Sequence, residues 1–255
     1  MTLVFENYQL LFLVSLGLIA FLYSTVGHGG ASGYLALMAI FNFSMDSMRP
    51  TALLLNLFVA ALAFYHFWKK GYFNKSLFIY FALASIPLSF VGGIIQVNPA
   101  VYQIILACFL LFSIAKLLTN LSSEKIKIKK VRLYQGLAIG GFVGFFSGLI
   151  GIGGGIILSP LIIFMRWGTI KEAAAVSALF IWVNSAAGLL GQLVNGATIE
   201  YDSLVYVCVV LVGGALGSFF GSAKFKPKFL KLLLVVVLLL AFIKLIPIWK
   251  DKKSL

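Results

Sequence analysis

Charged residues are scarce in this sequence, and acidic residues are the scarcest. Of its 255 residues 11% are charged and 62% are hydrophobic, and only 7 are Asp or Glu. A soluble domain carries about 25% charged residues. Apolar stretches of about 20 residues, enough to cross a hydrocarbon core roughly 30 Å thick, recur along the chain. The composition excludes a soluble globular domain and predicts an all-α integral membrane protein, a polytopic helix bundle in the lipid bilayer.

Cysteine and histidine are almost absent, with 2 of each. Cys108 and Cys208 lie in apolar stretches, which favours packing residues over a disulfide or a metal pair. We therefore expect no metal and no cofactor. An intramembrane enzyme would need a nucleophile with its base, or a cluster of metal ligands, at membrane depth. The sequence indicates neither, so we expect that the protein is not an enzyme.

The acidic residues also avoid the long apolar stretches, and all of them fall in predicted loops or near the chain ends. They are Glu6, Asp46, Glu124, Glu172, Glu200, Asp202 and Asp251. Proton and sodium carriers usually keep a carboxylate at membrane depth. A cationic substrate would lack a counter-charge here, so the sequence favours an anion. The net charge of +13 comes from basic residues in short loops, which is typical of cytoplasmic membrane loops and does not indicate nucleic-acid binding.

Eight apolar blocks alternate with short loops, and two of the blocks are too long for one straight helix. The blocks span about residues 8–43, 51–68, 76–97, 100–118, 133–165, 173–194, 203–223 and 229–249. At 1.5 Å per residue the first would be about 54 Å long. A glycine cluster lies inside each long block, at 27–33 and at 151–155, and glycine allows the helix to break there.

The two halves of the chain repeat at an offset of about 124 residues, which aligns the two glycine clusters. We divide the chain into a first transmembrane repeat at 1–118, a basic cytoplasmic connector at 119–132 and a second transmembrane repeat at 133–255. In each half one long broken block precedes three ordinary ones. Such duplication is typical of transporters. No glycine cluster is followed by the Lys-Ser or Lys-Thr of a P-loop, so nothing indicates ATP hydrolysis.

The basic loops favour one of two topologies. If each long block crosses once, Arg166, Lys171 and the lysines at 224–231 fall outside, against the positive-inside rule. If each long block goes in and returns, nearly all basic loops share one side, while Arg49 and the C-terminal lysines stay outside. The second topology predicts two inverted-topology repeats, each opening with a broken or re-entrant helix. It also predicts that both termini face outside.

Each helix that resumes after a break exposes backbone N–H groups and a positive dipole end, which suit an anion. An inverted repeat brings the two breaks together near the midplane. We predict a substrate site of break glycines and nearby polar residues: Gly27, His28, Gly29, Gly30, Ser32, Gly151, Gly153, Gly154, Gly155, Asn56, Ser177 and Asn184.

Other interpretations of these residues stay open. The glycines could serve only close helix packing, and Asn56 and Asn184 could simply bridge helices. His28 could contact the anion, carry a coupling proton, or hold the break in shape.

Two motifs carry a resemblance to a known family. Gly-His-Gly-Gly-Ala-Ser-Gly at 27–33 and Gly-Leu-Ile-Gly-Ile-Gly-Gly-Gly-Ile-Ile-Leu-Ser-Pro at 148–160 resemble the TauE/SafE family of sulfite exporters and sulfonate permeases. The segment Ala-Val-Ser-Ala-Leu at 175–179 is similar to that family's Ala-Thr-Ser-Leu segment. The resemblance covers nearly the whole chain. It implies transport of a small sulfur-containing oxyanion, such as sulfite or an organosulfonate, across the plasma membrane of a bacterium.

The breaks and the resemblance together predict a secondary transporter that works by alternating access. A passive anion channel or a non-transporting membrane subunit is the alternative.

Overall fold

The computed structural model describes residues 2–96, 98 and 128–226, with single positions between 101 and 115 and between 229 and 243. Residues 119–127 of the predicted connector lie outside the described residues. Within the described ranges the chain forms eight helices. They are α1 (Thr2–Thr25), α2 (Ala31–Ile40), α3 (Met45–Lys69), α4 (Lys75–Ile94), α5 (Leu133–Ile150), α6 (Gly155–Phe164), α7 (Ile170–Val194) and α8 (Ser203–Ala223).

Five of these helices, α3, α4, α5, α7 and α8, are long and apolar enough to cross a membrane. The described positions between 101 and 115 and between 229 and 243 are helical as well. The prediction of a polytopic all-α membrane protein is confirmed.

Both long blocks break at their glycine clusters, as the sequence predicts. The residue just before α2 is Gly30, with φ 100°, and the residue just before α6 is Gly154, with φ 76°. Only glycine adopts such left-handed angles without strain. These two residues allow the chain to change direction and start a new helix inside the bundle.

The helix after each break runs back along the helix before it. Ser32, at the start of α2, shares a hydrogen bond of 2.9 Å with Tyr23, near the end of α1. Phe41, just after α2, has its ring centroid 5.1 Å from that of Phe12. In the second half, the Lys129 N–H donates to the Arg166 carbonyl over 2.8 Å, which joins the segment before α5 to the end of α6. Each long block thus goes in and returns.

The first helix of the first half packs on the last described long helix of the second half. Gly213 of α8 lies against the Gly17 backbone of α1, and Gly221 lies against the Thr25 backbone. Because both residue numbers rise together, α1 and α8 run in the same direction. The absence of a glycine side chain allows the two backbones to touch.

The opening helix of the second half, α5, makes the equivalent contact with α4 of the first half. Gly140 of α5 lies against the Phe81 backbone, and Gly148 lies against the Ser89 backbone. These two helices also run in the same direction. The two remaining long helices, α3 and α7, pack on each other in the centre. The opening helix of each half therefore packs on the other half.

The two ends of the bundle differ in charge. At the end that we call the basic end, α3, α6 and α8 finish and α4, α5 and α7 begin. Lys171 joins three segments there, because its Nζ donates to Tyr72 Oη (3.2 Å) and to the Ser222 carbonyl (3.0 Å). The described basic residues at this end are Lys69, Lys70, Lys75, Lys129, Lys130, Arg132, Arg166, Lys171, Lys224 and Lys226. We call the other end, with Asp46, Arg49 and Glu200, the opposite end.

One prediction about packing is wrong. Cys108 and Cys208 are free thiols, but both are exposed. Cys208 faces away from the bundle interior because glycines and serines form much of the contact face of α8.

Candidate functional site

The two breaks meet at Asn56, in the middle of α3. Its Oδ1 accepts a hydrogen bond from the N–H of Ala31, the first residue of α2, over 3.1 Å. Its Nδ2 donates to the Ile152 carbonyl in the second break (3.4 Å) and to Ser185 Oγ on α7 (3.3 Å). One fully buried amide therefore joins both breaks to both central helices.

His28 makes a second direct bond between the halves. Its Nε2 lies 2.9 Å from the carbonyl oxygen of Gly155, the first residue of α6. Because a carbonyl oxygen can only accept, Nε2 carries the proton. His28 is 1% exposed, and its Nδ1 is buried with no hydrogen-bond partner among the described residues. The imidazole thus holds the halves together through one nitrogen and keeps the other without a bond.

Gly29 and Gly153, 124 positions apart, approach the same pair of side chains. A Cβ on Gly29 would overlap the Asn56 amide and lie 3.1 Å from Ile181 Cγ2. A Cβ on Gly153 would lie 2.7 Å from Asn56 Nδ2 and 2.8 Å from Ile181 Cγ2. Any side chain at either position would push the break away from α3 and α7. The site therefore depends on glycine at both positions.

Gly27 and Gly151 form the outer edges of the two breaks. A Cβ on Gly27 would overlap the Ala174 backbone near the start of α7. A Cβ on Gly151 would lie 3.6 Å from Arg49 near the start of α3. Because α3 and α7 start at different ends of the bundle, the first break reaches toward the basic end and the second toward the opposite end.

Helices α2 and α6 both begin near Asn56 and Ile181 and run from there toward different ends of the bundle. The first N–H groups of a helix have no partner within that helix, and together they carry a partial positive charge. The Ala31 N–H is satisfied by Asn56. The arrangement places two helix N-termini, an amide and an imidazole in the middle of the bundle.

Two tyrosines belong to the site, although the sequence did not indicate them. A Cβ on Gly30 would lie 2.6 Å from Tyr34 Oη, so the hydroxyl lies directly beside the start of α2. Tyr34 is fully buried, and its hydroxyl has no hydrogen-bond partner in the part of the chain that the structure describes. Tyr23 binds Ser32, which connects that predicted residue to the break. The available signal was the spacing of four between Gly30 and Tyr34, which places them on one helix face.

Two of the predicted residues form hydrogen bonds between helices instead of bonds to the break residues. The Ser159 hydroxyl donates to Ser177 Oγ over 2.6 Å, which joins α6 to α7. Asn184 Nδ2 donates to Ser85 Oγ (3.1 Å) on α4 and to the Phe180 carbonyl (2.8 Å). These contacts bridge helices. The structure brings together the predicted glycines, His28, Ser32 and Asn56, whereas Ser177 and Asn184 make side-chain hydrogen bonds to α6, α4 and α7.

The polar side chains around the breaks come mainly from the first half, namely Tyr23, His28, Ser32, Tyr34 and Asn56. Their counterparts 124 or 125 positions later are Ser147, Ile152, Ile156, Leu158 and Ile181. The second half therefore contributes mostly backbone and apolar surface, and the centre is chemically asymmetric.

A multi-pass helical bundle built around two buried helix breaks has the architecture of membrane transporters. The family model described as sulfite exporter TauE/SafE matches residues 11–245 of this chain. The chain belongs to the TauE/SafE family of membrane transporters.

Three relatives are described as probable membrane transporter proteins. Protein y4hK of Sinorhizobium fredii is 35% identical over 232 residues, which cover 89% of this chain and 94% of that protein. Protein MJ0441 of Methanocaldococcus jannaschii is 28% identical over 167 residues, or 61% of this chain and 62% of that protein. Protein YunE of Bacillus subtilis is 32% identical over 111 residues, or 44% and 40% respectively. No solved structure matches the chain.

Proposed function

We propose that the protein is a secondary transporter that moves a small anion across the plasma membrane by alternating access at the two breaks. One observation carries this proposal. The N-termini of α2 and α6 meet in the bundle interior, joined by Asn56 and His28. Helix breaks at the interface of two repeats are where transporters of this architecture bind substrate.

The charge of the centre supports an anion. The N–H groups at the two helix starts and the unpartnered Tyr34 hydroxyl can donate hydrogen bonds to an oxyanion, and so can His28 Nδ1 when the imidazole is protonated. The acidic residues in the described ranges lie in loops or near helix ends: Glu6, Asp46, Glu172, Glu200 and Asp202. A cation would find none of these carboxylates at the breaks, and it would meet the positive potential of two helix N-termini.

The family name points to the substrate class. Sulfite and organosulfonates carry several negative oxygens on one small sulfur centre, and two helix N-termini suit such a group. His28 is the residue that we assign to substrate contact: Nε2 holds the break, and Nδ1, which has no partner among the described residues, can donate to an anion when the imidazole is protonated. The same imidazole is our candidate for a coupling proton.

We further infer that the halves are inverted-topology repeats, at 1–118 and 133–255. The equivalent contacts of Gly27 with Ala174 and of Gly151 with Arg49 lie toward different ends of the bundle. The α1–α8 and α5–α4 contacts are also equivalent, because in each the opening helix of one half packs in parallel on a helix of the other half. Rocking of one repeat against the other would then expose the centre to each side in turn.

Burial of the centre favours a gated transporter over an open channel. His28 is 1% exposed and Asn56 is 0% exposed, and the glycines of both breaks are buried as well. An anion could reach the breaks only after a conformational change, which is the requirement of alternating access.

The test is uptake of sulfite and of ethanesulfonate into proteoliposomes that contain purified protein. The matched variants are Gly29→Ala, whose methyl group would overlap Asn56, and Gly168→Ala, whose methyl group would meet Glu172 and Ile162 at 3.3 Å or more. We expect saturable uptake that Gly29→Ala lowers at least tenfold and Gly168→Ala leaves within twofold. Non-saturable, uncoupled flux would indicate a channel. Full activity of folded Gly29→Ala protein would exclude the breaks as the substrate site.

A further inference from the structure

A polar cavity of about 350 Å³ opens at the opposite end of the bundle. Its rim carries the exposed residues Asp46, Asn195 and Glu200, and its floor includes Arg49 and Gln192. Arg49 is half-buried and Gln192 is 4% exposed. The cavity is large enough for a small hydrated ion, and its polar floor lies deeper than its acidic rim.

The side-chain amide of Gln192 indicates that the cavity floor binds a ligand. Both its Oε1 and its Nε2 are buried without a hydrogen-bond partner among the residues that the structure describes. A buried amide without partners is costly, and native structures rarely keep one without a ligand or water. Because both amide atoms lack a bond, the conclusion does not depend on which atom is oxygen.

Arg49 connects the cavity floor to the second break. Its Nη2 donates to the Leu149 carbonyl over 2.6 Å, at the end of the helix that leads into the break. A Cβ on Gly151 would lie 3.6 Å from the Arg49 carbonyl oxygen. An arginine fork binds the oxygens of an anion through two parallel hydrogen bonds. An anion on the floor would therefore lie next to the break glycines.

At the basic end, the place equivalent to the cavity floor is filled by apolar side chains. The counterparts of Arg49 and Gln192, 125 positions away, are Ala174 and Phe67. Both are buried and pack in one apolar cluster with Tyr72 and Phe73. A Cβ on Gly27 would overlap the Ala174 backbone, whereas a Cβ on Gly151 would clear Arg49 by 3.6 Å. The first break is thus closely packed toward the basic end, and the second is less closely packed toward the cavity.

We propose that Arg49 and Gln192 form a second anion-binding position, at which a small oxyanion is held between the opposite end and the breaks. The proposal rests on the proposed function as an anion transporter. The charges of Asp46 and Glu200 lie at the exposed rim, where solvent and salt screen them. The guanidinium acts at the floor, where screening is weaker. A cation bound there would lie beside Arg49, so the floor selects an anion.

The experiment compares variants of the full-length protein in two measurements. One is the half-saturating sulfite concentration for uptake into proteoliposomes. The other is the shift of the thermal unfolding midpoint by sodium sulfite, relative to sodium chloride of equal ionic strength. The variants are Gln192→Leu, Arg49→Lys, which keeps the charge but loses the fork, and the control Gln96→Leu at an exposed position of the cavity wall.

We expect Gln192→Leu and Arg49→Lys each to raise the half-saturating concentration about tenfold, which corresponds to about 1.4 kcal/mol. Gln96→Leu should stay within twofold of the wild type. Gly29→Ala protein, in which transport should fall at least tenfold, should still be stabilised by sulfite, because its cavity is intact. Adding Gln192→Leu to Gly29→Ala should abolish that stabilisation.

Unchanged half-saturation in both floor variants would overturn the second position while leaving wild-type transport, and the proposed function, intact. Loss of sulfite stabilisation in Gly29→Ala alone would overturn it too. Stabilisation that follows sodium and disappears in Gln192→Leu would identify a cation site and reject our assignment. If wild-type protein neither binds nor transports any of the anions, the proposed function fails first and this inference fails with it.

Discussion

Asn56 shows how one side chain can hold a chain break inside a membrane protein. Backbone at membrane depth has no water to bond, so each freed N–H and carbonyl needs a partner in the protein. The amide of Asn56 supplies an acceptor to Ala31 and a donor to Ile152. Because an amide both donates and accepts, it can satisfy one break on each side. The breaks therefore remain non-helical at a tolerable energetic cost.

Replacing Asn56 should destabilise the fold. Asn56→Leu removes three hydrogen bonds and leaves the buried Ala31 N–H unpaired, so the free energy of unfolding should fall by about 2 kcal/mol or more. The thermal unfolding midpoint in detergent measures the effect. Asn195→Leu, at an exposed position after α7, is the control and should shift the midpoint little. Equal shifts in the two variants would mean that the breaks do not depend on the amide.

His28 should matter for transport, whereas the other histidine should not. His28→Phe removes the bond to the Gly155 carbonyl and both ring nitrogens from the centre. We expect sulfite uptake to fall at least tenfold, equivalent to about 1.4 kcal/mol. His66, whose Nδ1 lies 2.7 Å from Ser218 Oγ near the basic end, provides the matched control. Uptake by His66→Phe protein should stay close to the wild type, and a similar loss in both variants would argue against a special role for His28.

Individual residues of the candidate site could be predicted where the backbone must leave the helix, because a break in an apolar block needs glycine. The glycines and His28 stand out because they interrupt an apolar block. Tyr34 and Tyr23 did not stand out, because their position depends on α2 folding back along α1. Ser177 and Asn184 were chosen for their depth in a block, but depth does not reveal which helix face they occupy. Their partners, on α6 and α4, follow only from the tertiary packing.

At the scale of helices, rows of small residues determine which helices touch. Glycines spaced by four lie on one face of an α-helix. On α5 such a row packs on the backbone of α4, and on α8 a second row packs on α1. The rows are Gly136, Gly140, Gly144 and Gly148 on α5, and Gly213, Gly217 and Gly221 on α8. Both rows belong to the second half. In the α5–α4 pair the glycines lie on the opening helix α5, whereas in the equivalent α1–α8 pair they lie on α8, the partner of the opening helix.

A methyl group in one of these rows should separate the helices. Gly148→Ala would place Cβ against the Ser89 backbone, whereas in Gly141→Ala Cβ would meet the Leu88 side chain, 2.9 Å away at its flexible end. We expect Gly148→Ala to lower stability by about 1–3 kcal/mol through overpacking. Gly141→Ala should be close to neutral, since alanine also favours the helix. Thermal unfolding midpoints of the two proteins provide the comparison, and a neutral Gly148→Ala would refute the close contact.

The helices themselves were largely predictable, but their partners were not. The two broken blocks were evident from length and glycine content alone. The second block was predicted to begin at 51, but α3 begins at Met45, where Ser44 caps it by accepting from the Ser47 N–H over 3.3 Å. Hydropathy marks the membrane interior and not the end of the helix. Pairing of α1 with α8 joins residues far apart in sequence, and the glycine row of α8 marks a contact face without indicating which helix packs on it.

At the scale of the whole molecule, the two ends of the bundle differ in packing: one end is closed and the other contains a cavity. The basic end is packed closely by Phe67, Ala174 and the bonds of Lys171. The opposite end holds the polar cavity. If the positive-inside rule applies, the cytoplasmic side is closed and the cavity faces outward. Transport would then require the opposite end to close as the basic end opens.

The orientation of the bundle can be measured with single cysteines in a Cys108→Ala, Cys208→Ala background, which removes the two exposed thiols. The two variants are Thr198→Cys and Lys70→Cys. Thr198 lies on the cavity wall and Lys70 lies at the basic end, and both positions are exposed. Because basic loops stay in the cytoplasm, a membrane-impermeant maleimide added to intact cells should label Thr198→Cys at least tenfold faster than Lys70→Cys. Permeabilised cells are the control, and there both should react at similar rates. Faster labelling of Lys70→Cys in intact cells would reverse the orientation, so the closed end and not the cavity would face outward.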